Sequence, residues 1–156
     1  MDHVTFYEAY DSRFETVVVQ GYKVHYREAY DGYKYEYSRL RSTGAGGELV
    51  EKSFHFEDDE YITHIGTANG GSLDRIEFVT NKERQFICGG TGGRYEPFIF
   101  NCQEGTHPRV IAFGIGLGPY DAHQFRAYYF DVSGDSPCRD LSLEQDMQRR
   151  YEESER

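Results

Sequence analysis

The sequence predicts an all-β fold, and three observations support this prediction. Fourteen Tyr, eleven Phe and seventeen Gly in 156 residues, with only four Pro, favour short strands joined by tight turns. Alternating runs of apolar and polar residues recur as far as residue 132. Glycine-rich units also recur at a nearly constant spacing, with equivalent loops that end at His25, Asp74 and Asp121. We therefore expect three small antiparallel sheets with approximate threefold symmetry.

Strands and turns alternate along the whole predicted β region. The predicted strands cover residues 4–10, 14–19, 26–30, 33–37, 49–56, 61–66, 76–79, 85–88, 98–100, 110–113 and 125–132. Asp31-Gly32 predicts a type I′ hairpin turn, because both central residues of that turn need positive φ. Residues 57–60 form an acidic turn. We interpret it as solvated and not as a metal site, since hard cations need ligands spaced around a loop.

The domain is expected to occupy residues 1–132, followed by a charged C-terminal extension over 133–156. In the extension, Leu143, Met147 and Tyr151 fall four residues apart, and Ser142 is placed to cap a short helix. One narrow apolar stripe seldom stabilises an isolated helix. The extension is therefore interpreted as flexible, with a short partner-binding helix as the alternative.

Composition argues against several classes of partner. The formal charge of −10 disfavours nucleic acid, whose binding uses clustered Lys and Arg. No stretch approaches the ~20 apolar residues of a membrane span, and the first residues do not resemble a secretory signal. A soluble chain without membrane insertion is expected. Three cysteines without C-x-x-C spacing predict free thiols and no zinc site, and free thiols favour a cytoplasmic location. We expect no cofactor.

The sequence contains no pattern typical of catalysis. Its six histidines are scattered, with no H-x-x-x-H or H-E-x-x-H spacing, and it has no G-x-S-x-G or Walker-type loop. We therefore predict that the protein is not an enzyme.

The best candidate for binding is the loop made of Gly70, Gly71, Ser72, Leu73 and Asp74. Its backbone N–H groups can point into a shallow cup, and its carboxylate can accept hydrogen bonds from two hydroxyls. Such an arrangement suits a sugar. The alternative is a tight connection between two strands that carries a surface Asp.

Several stretches resemble the jacalin-related lectins in order and spacing. They are EYITHIG from Glu60, GGSLDRIEFVTNKERQF from Gly70, the glycines up to Gly93, Phe98-Ile99-Phe100, VIAFG from Val110 and the loop up to Asp121-Ala122. The resemblance covers residues 4–132. It implies the β-prism I fold, with three four-stranded Greek-key sheets around a pseudo-threefold axis. It also implies carbohydrate binding without metal or catalysis, through a G-x-x-x-D loop in the last unit.

Carried over to this chain, the family's loop ends at Asp121, which supplies the carboxylate and follows Tyr120, while Gly116 and Gly118 flank the position of the family's glycine. Leu117 stands where the family has its glycine. Pro119 lacks the N–H group that the family's loop uses.

The middle loop, from Gly70 to Asp74, keeps the family pattern without an exception and has a neighbouring glycine run at 44–47. It is therefore at least as good a candidate as the last loop. The first loop has His25 in place of the carboxylate, and we expect it not to bind sugar in the family's way.

The leading functional hypothesis is a lectin for mannose- or glucose-type glycans. The alternative is a β-prism scaffold that has lost sugar binding and serves protein interaction. Tyr22, Tyr95 and Tyr120 lie near loop ends, where they either stack on a sugar or pack inside the protein. Exposed sheet faces also allow a homodimer.

Overall fold

A computed structural model describes residues 1–12, 15–26, 48–70, 73–117 and 122–135. These residues contain strands and turns but no helix, so the predicted all-β class is confirmed. The strands are β1 (His3–Asp11), β2 (Thr16–His25), β3 (Val50–His55), β4 (Ile62–Asn69), β5 (Leu73–Thr80), β6 (Gln85–Gly89), β7 (Arg94–Pro97), β8 (Thr106–Leu117) and β9 (Ala122–Ser133). The predicted Asp31-Gly32 hairpin and most of the C-terminal extension lie outside the described residues.

All strand pairs in the described residues are antiparallel, and they form two sheets. The first has the order β2-β1-β3, and the second has the order β6-β5-β4-β8-β9 with β7 also paired to β4. Strand β4 joins β8 through a single residue pair, Ile62 with Val110. The second sheet is therefore a four-stranded part, β4 to β7, attached to the hairpin β8-β9. Within the described ranges the sheets have three and six strands, and the expected set of three four-stranded sheets is not confirmed.

The core joins the inner faces of both sheets. Phe6 of β1 is fully buried, with its ring centroid 5.6 Å from that of Phe86 in the second sheet. Phe54 of β3 makes an edge contact with Phe78 of β5 at 5.0 Å. Burial of each such side chain stabilises the fold by about 1.5–3 kcal/mol. The aromatic content that predicted strands therefore also provides the packing between sheets.

The predicted strand over residues 98–100 is wrong, because the strand in this region is β7, which ends at Pro97. The Phe98 N–H donates to the Ile65 carbonyl at 2.8 Å, and the chain then leaves the sheet. Phe100 packs edge-on against Tyr129 at 4.7 Å. The alternation of apolar residues in this segment thus serves an aromatic cluster and not a strand.

The predicted acidic turn is present, with a turn at Asp58-Asp59, but its last carboxylate is not solvated. The Glu60 side chain is fully buried. It accepts hydrogen bonds from Thr80 Oγ1 at 2.6 Å and from Arg84 Nη1 at 2.7 Å. Glu60 therefore ties the turn to the β5-β6 hairpin, since a buried carboxylate needs such partners.

A search of the described ranges for a helix long and apolar enough to cross a membrane finds none.

Candidate functional site

The middle candidate loop is shorter than the sequence pattern indicates. Strand β4 ends at Asn69 and β5 begins at Leu73, so only residues 70–72 connect the two strands. Gly71 and Ser72 lie outside the described residues. Asp74 is the second residue of β5, at a register shift that leaves it without a partner on β4. The carboxylate therefore projects from a β-bulge, a feature that changes the direction of a side chain.

Three glycines form a cradle around the Asp74 side chain, which is only 3% exposed. A Cβ atom at Gly92 would lie 2.9 Å from Asp74 Oδ1, and one at Gly70 would lie 3.2 Å from Oδ2. A Cβ atom at Gly93 would overlap Oδ2 more closely still, and Gly93 also has a positive φ of 74°. We call Asp74 with Gly70, Gly92 and Gly93 the glycine cradle. Its shape depends on residues without side chains.

One oxygen of this carboxylate has unused hydrogen-bonding capacity. Asp74 Oδ2 is buried and has no hydrogen-bond partner among the described residues. Burial raises the pKa of Asp74, while the Arg75 guanidinium and a hydrogen bond from the Gly70 backbone act in the opposite direction. A buried and partly unsatisfied carboxylate is costly, so native proteins retain few of them without a functional or structural reason.

The glycine run at residues 89–93 is the one that lies next to Asp74 in the structure. The Gly90 N–H donates to the Asp74 carbonyl at 2.8 Å, and Arg75 Nη1 donates to the Gly90 carbonyl at 3.1 Å. The Gly89 N–H donates to Glu8 Oε2 at 2.6 Å. These bonds fix one wall of the cradle. The run predicted to neighbour the loop, 44–47, lies outside the described residues.

The last candidate loop is described only at its base. Gly116 and Leu117 end β8, where they pair with Gln124 and Ala122 of β9. Gly118, Tyr120 and Asp121 lie outside the described residues, so this loop stays a prediction.

Two of the three candidate tyrosines pack inside the protein, and the idea that they stack on a sugar is wrong. Tyr22 is 2% exposed, and its hydroxyl accepts a hydrogen bond from the Ile115 N–H at 3.0 Å. Tyr95 is 7% exposed because its ring lies directly over Gly66. The pKa of Tyr95 is raised by burial. Tyr120 lies outside the described residues.

The structure brings together three histidines that are far apart in sequence. His25, His3 and His55 lie side by side on β2, β1 and β3. The ring centroid of His3 is 3.8 Å from that of His25 and 4.9 Å from that of His55, and the rings are nearly parallel. Stacked rings direct their nitrogens along parallel planes and not toward one point. Among the described residues, no group of three or more His, Cys, Asp or Glu is arranged to hold a metal ion.

The two described thiols are free. Burial and the neighbouring Glu8 carboxylate raise the pKa of Cys88, while partial burial and Asp131 raise the pKa of Cys102 to about 11. Both groups are therefore neutral thiols near pH 7, which does not suit a nucleophile. Cys138 lies outside the described residues.

The fold and the site define a class of protein, namely an all-β domain whose strand ends carry glycine-rich segments and a recessed carboxylate. Comparison with known families gives a more specific answer. The family profile described as Jacalin-like lectin domain matches residues 6–115, more than two thirds of the chain. The chain therefore belongs to the jacalin-like lectin domain family, which confirms the resemblance seen in the sequence. A search of curated proteins finds no match.

Proposed function

We propose that this domain binds carbohydrate without catalysis, and that the glycine cradle is a binding site. The observation that supports this proposal is the unpartnered Oδ2 atom of Asp74, enclosed by glycines in a chain that belongs to a lectin family. Sugar hydroxyls are neutral donors. They can complete the hydrogen bonds of an ionised carboxylate without bringing in a second charge.

Binding at this site requires that the Asp74 carboxylate turn from the cradle toward the loop at residues 70–72. The side chain would then exchange burial among glycines for contact with ligand hydroxyls. Backbone N–H groups of the loop would supply the complementary donors. Because burial raises the pKa of Asp74, the ionised form is lost at a higher pH than for an ordinary aspartate. We expect affinity to fall as pH decreases through that raised pKa.

Two finer features belong to this proposal. The preferred ligands are mannose- or glucose-type glycans, as the family resemblance implies, with the loop from Gly116 to Asp121 as a second candidate site. The overall architecture is a β-prism with three sheets. It is supported by the division of the larger sheet into a four-stranded part and a hairpin, which share a single pair of residues.

A scaffold for protein interaction is the second candidate function. It is favoured by exposed apolar side chains on the β8-β9 hairpin, where Ile111, Tyr128 and Phe130 are 43%, 58% and 49% exposed. Aromatic residues of this kind are enriched in protein interfaces. This candidate is independent of Asp74, and the same experiment separates the two functions.

The test is titration calorimetry of the chain with methyl α-mannoside and methyl α-glucoside, after a glycan-array screen. Asp74→Asn keeps the shape of the side chain and removes its charge. We expect at least a tenfold loss of affinity, which corresponds to ~1.4 kcal/mol. Asp58→Asn, in the exposed acidic turn, is the charge-matched control and should bind as the parent does. If Asp74→Asn binds like the parent and Asp121→Asn does not, the cradle is not the site. Failure of the folded parent to bind any glycan would favour the scaffold.

A further inference from the structure

Strand β4 divides one of its edges between two partners, and a gap separates them. Near its start Ile62 pairs with Val110 of β8, whereas from Gly66 onward it pairs with β7. The chain over residues 98–105 leaves the sheet between these two contacts and returns at Thr106, the first residue of β8. The detour leaves an open groove beside Thr63 and His64, at the end of β4 remote from Asp74.

The groove has a volume of about 610 Å³. This lies within the range of about 300–1,000 Å³ found for small-molecule sites. Its principal polar lining comes from His64, Gln103, Glu104, His107 and Asp135, and Phe100 adds an aromatic ring. None of the lining residues is Lys or Arg. Together with the two carboxylates, this lack of cationic side chains disfavours phosphate, sulfate or acidic sugars as ligands.

Hydrogen bonds fix one wall of the groove. His107 is buried, and its Nδ1 donates to the Gly134 carbonyl at 2.9 Å. In the neutral imidazole, Nε2 then accepts from the Tyr61 hydroxyl at 2.6 Å, and the two rings stack 5.8 Å apart. The Gly134 N–H also donates to the Gly105 carbonyl at 2.8 Å. These contacts hold the turn in place before any ligand arrives, which lowers the entropic cost of binding.

The turn at residues 103–105 also carries polar groups on the rim of the groove that are available to a ligand. Gln103 and Glu104 are exposed, and neither side chain forms a hydrogen bond or ion pair with another described residue. An amide beside a carboxylate provides two donors and several acceptors within one turn. Phe100 is half-buried and held by Tyr129, so it offers a fixed apolar surface to the C–H groups of a ring.

We propose that this groove is a second saccharide subsite, which takes a neutral polyhydroxylated ligand, with Gln103 and Glu104 as its hydrogen-bonding rim. The inference rests on the proposed carbohydrate function but uses none of the residues of the glycine cradle. Asn69 lies five residues beyond His64 on β4, a distance along the strand of roughly 17 Å. A single hexose cannot bridge that distance, so the two sites bind separately. One chain then carries two sites for a branched or extended glycan.

The experiment maps amide shifts of the ¹⁵N-labelled chain during titration with mannotriose. Two groups of amides are expected to move, one around Gly70 and Gly89–Gly93 and one around His64 and residues 103–107. In the double variant Gln103→Ala/Glu104→Ala the second group should lose at least tenfold in affinity while the first is unchanged. Asp74→Asn should have the converse effect. Glu96→Gln, an exposed carboxylate on β7 outside the groove, is the control and should change neither group.

Each of the other outcomes contradicts one or both of the proposals. Shifts confined to the cradle overturn the second subsite and leave the proposed function intact. Shifts around residues 103–107 that persist in the double variant also overturn it. The same titration with arginine ethyl ester tests a cationic ligand, and a response to this probe without a response to mannotriose overturns the saccharide assignment. If mannotriose, methyl α-mannoside and methyl α-glucoside move neither group in the folded parent, both proposals fail.

Discussion

The two ends of strand β4 differ in how they are built and in what they leave accessible. At the end that follows Asn69, glycines close around a buried carboxylate, and the shape of the site comes from the backbone. At the other end, beside His64, side chains from distant segments line an open groove. If the cradle binds a ligand it must open to do so, whereas the groove is preformed and accessible.

This difference between the two ends of β4 also affects the stability of the protein. The cradle holds a carboxylate oxygen without a partner and depends on glycines, two features that each reduce stability. The groove uses exposed polar groups on a hydrogen-bonded turn, which cost little in the free protein. Cradle substitutions should therefore affect folding as well as binding, whereas substitutions of the groove rim should affect binding alone.

The largest effect is expected for Gly89→Ala, at the start of the glycine run. Gly89 has a φ of +107°, and an added Cβ would overlap the Asp74 carbonyl oxygen and lie 2.8 Å from Arg75 Cα. Backbone strain of about 1–3 kcal/mol and overpacking of a similar size should together reduce the free energy of unfolding by roughly 2–6 kcal/mol. Urea denaturation followed by circular dichroism measures this loss.

Gly105→Ala is the matched control for that substitution. Gly105 also has a positive φ, 76°, but an added Cβ would meet nothing within 4 Å. Only the conformational cost of about 1–2 kcal/mol then remains. Equal losses of stability in the two variants would mean that close packing around Asp74 adds nothing to the cost of the Gly89 substitution. The closed end of β4 would then be no more sensitive to an added Cβ atom than the open end.

A smaller effect is expected for Tyr61→Phe, which tests the fixed wall of the groove. The change removes the hydroxyl that donates to His107 Nε2 and leaves that buried nitrogen without this partner. The expected loss of stability is about 1–3 kcal/mol. Because the Tyr61 ring also packs beneath Arg109, the variant should keep the fold. An unchanged unfolding midpoint would show that the wall is not held by this bond, and the preformed character of the groove would then be in doubt.

Much of the fold could be predicted from sequence because the relevant signals are local. The alternating runs predicted β1, β3 and β6 to within one residue of their observed bounds, since the period of a half-buried strand appears directly in the residue order. The same signal failed at Phe98 and Phe100, where alternation reflects an aromatic cluster packed on Tyr129. Pattern alone does not distinguish a strand from a segment that buries every second residue in another way.

The candidate site could be predicted only in part, for the same reason. The Gly-x-x-x-Asp spacing located Asp74, but the burial of its carboxylate depends on Gly92 and Gly93, which approach it only through the fold. The sequence contains no pattern that predicts the groove. Its residues come from the start of β4, from the chain between Phe100 and Pro108 and from Asp135 just after β9, and no local motif links these segments.

The smallest effect, and the one that bears most directly on the cradle, is the pH dependence of Asp74→Asn. Burial raises the pKa of Asp74 in the folded chain above its ordinary value of 3.8. At a pH between 3.8 and this raised pKa, the folded chain therefore holds more protons than the unfolded chain. The parent should therefore lose stability as pH rises through that window, and the variant should lack this component of the loss. Urea unfolding at pH 3 and pH 7 measures the difference between the two proteins, with Asp58→Asn as the control. The free energy of unfolding of the variant, relative to that of the parent, should be larger at pH 7 than at pH 3. A relative gain by the parent would mean that the ionised carboxylate stabilises the cradle, and the site would then be a structural anchor and not one held ready for a ligand.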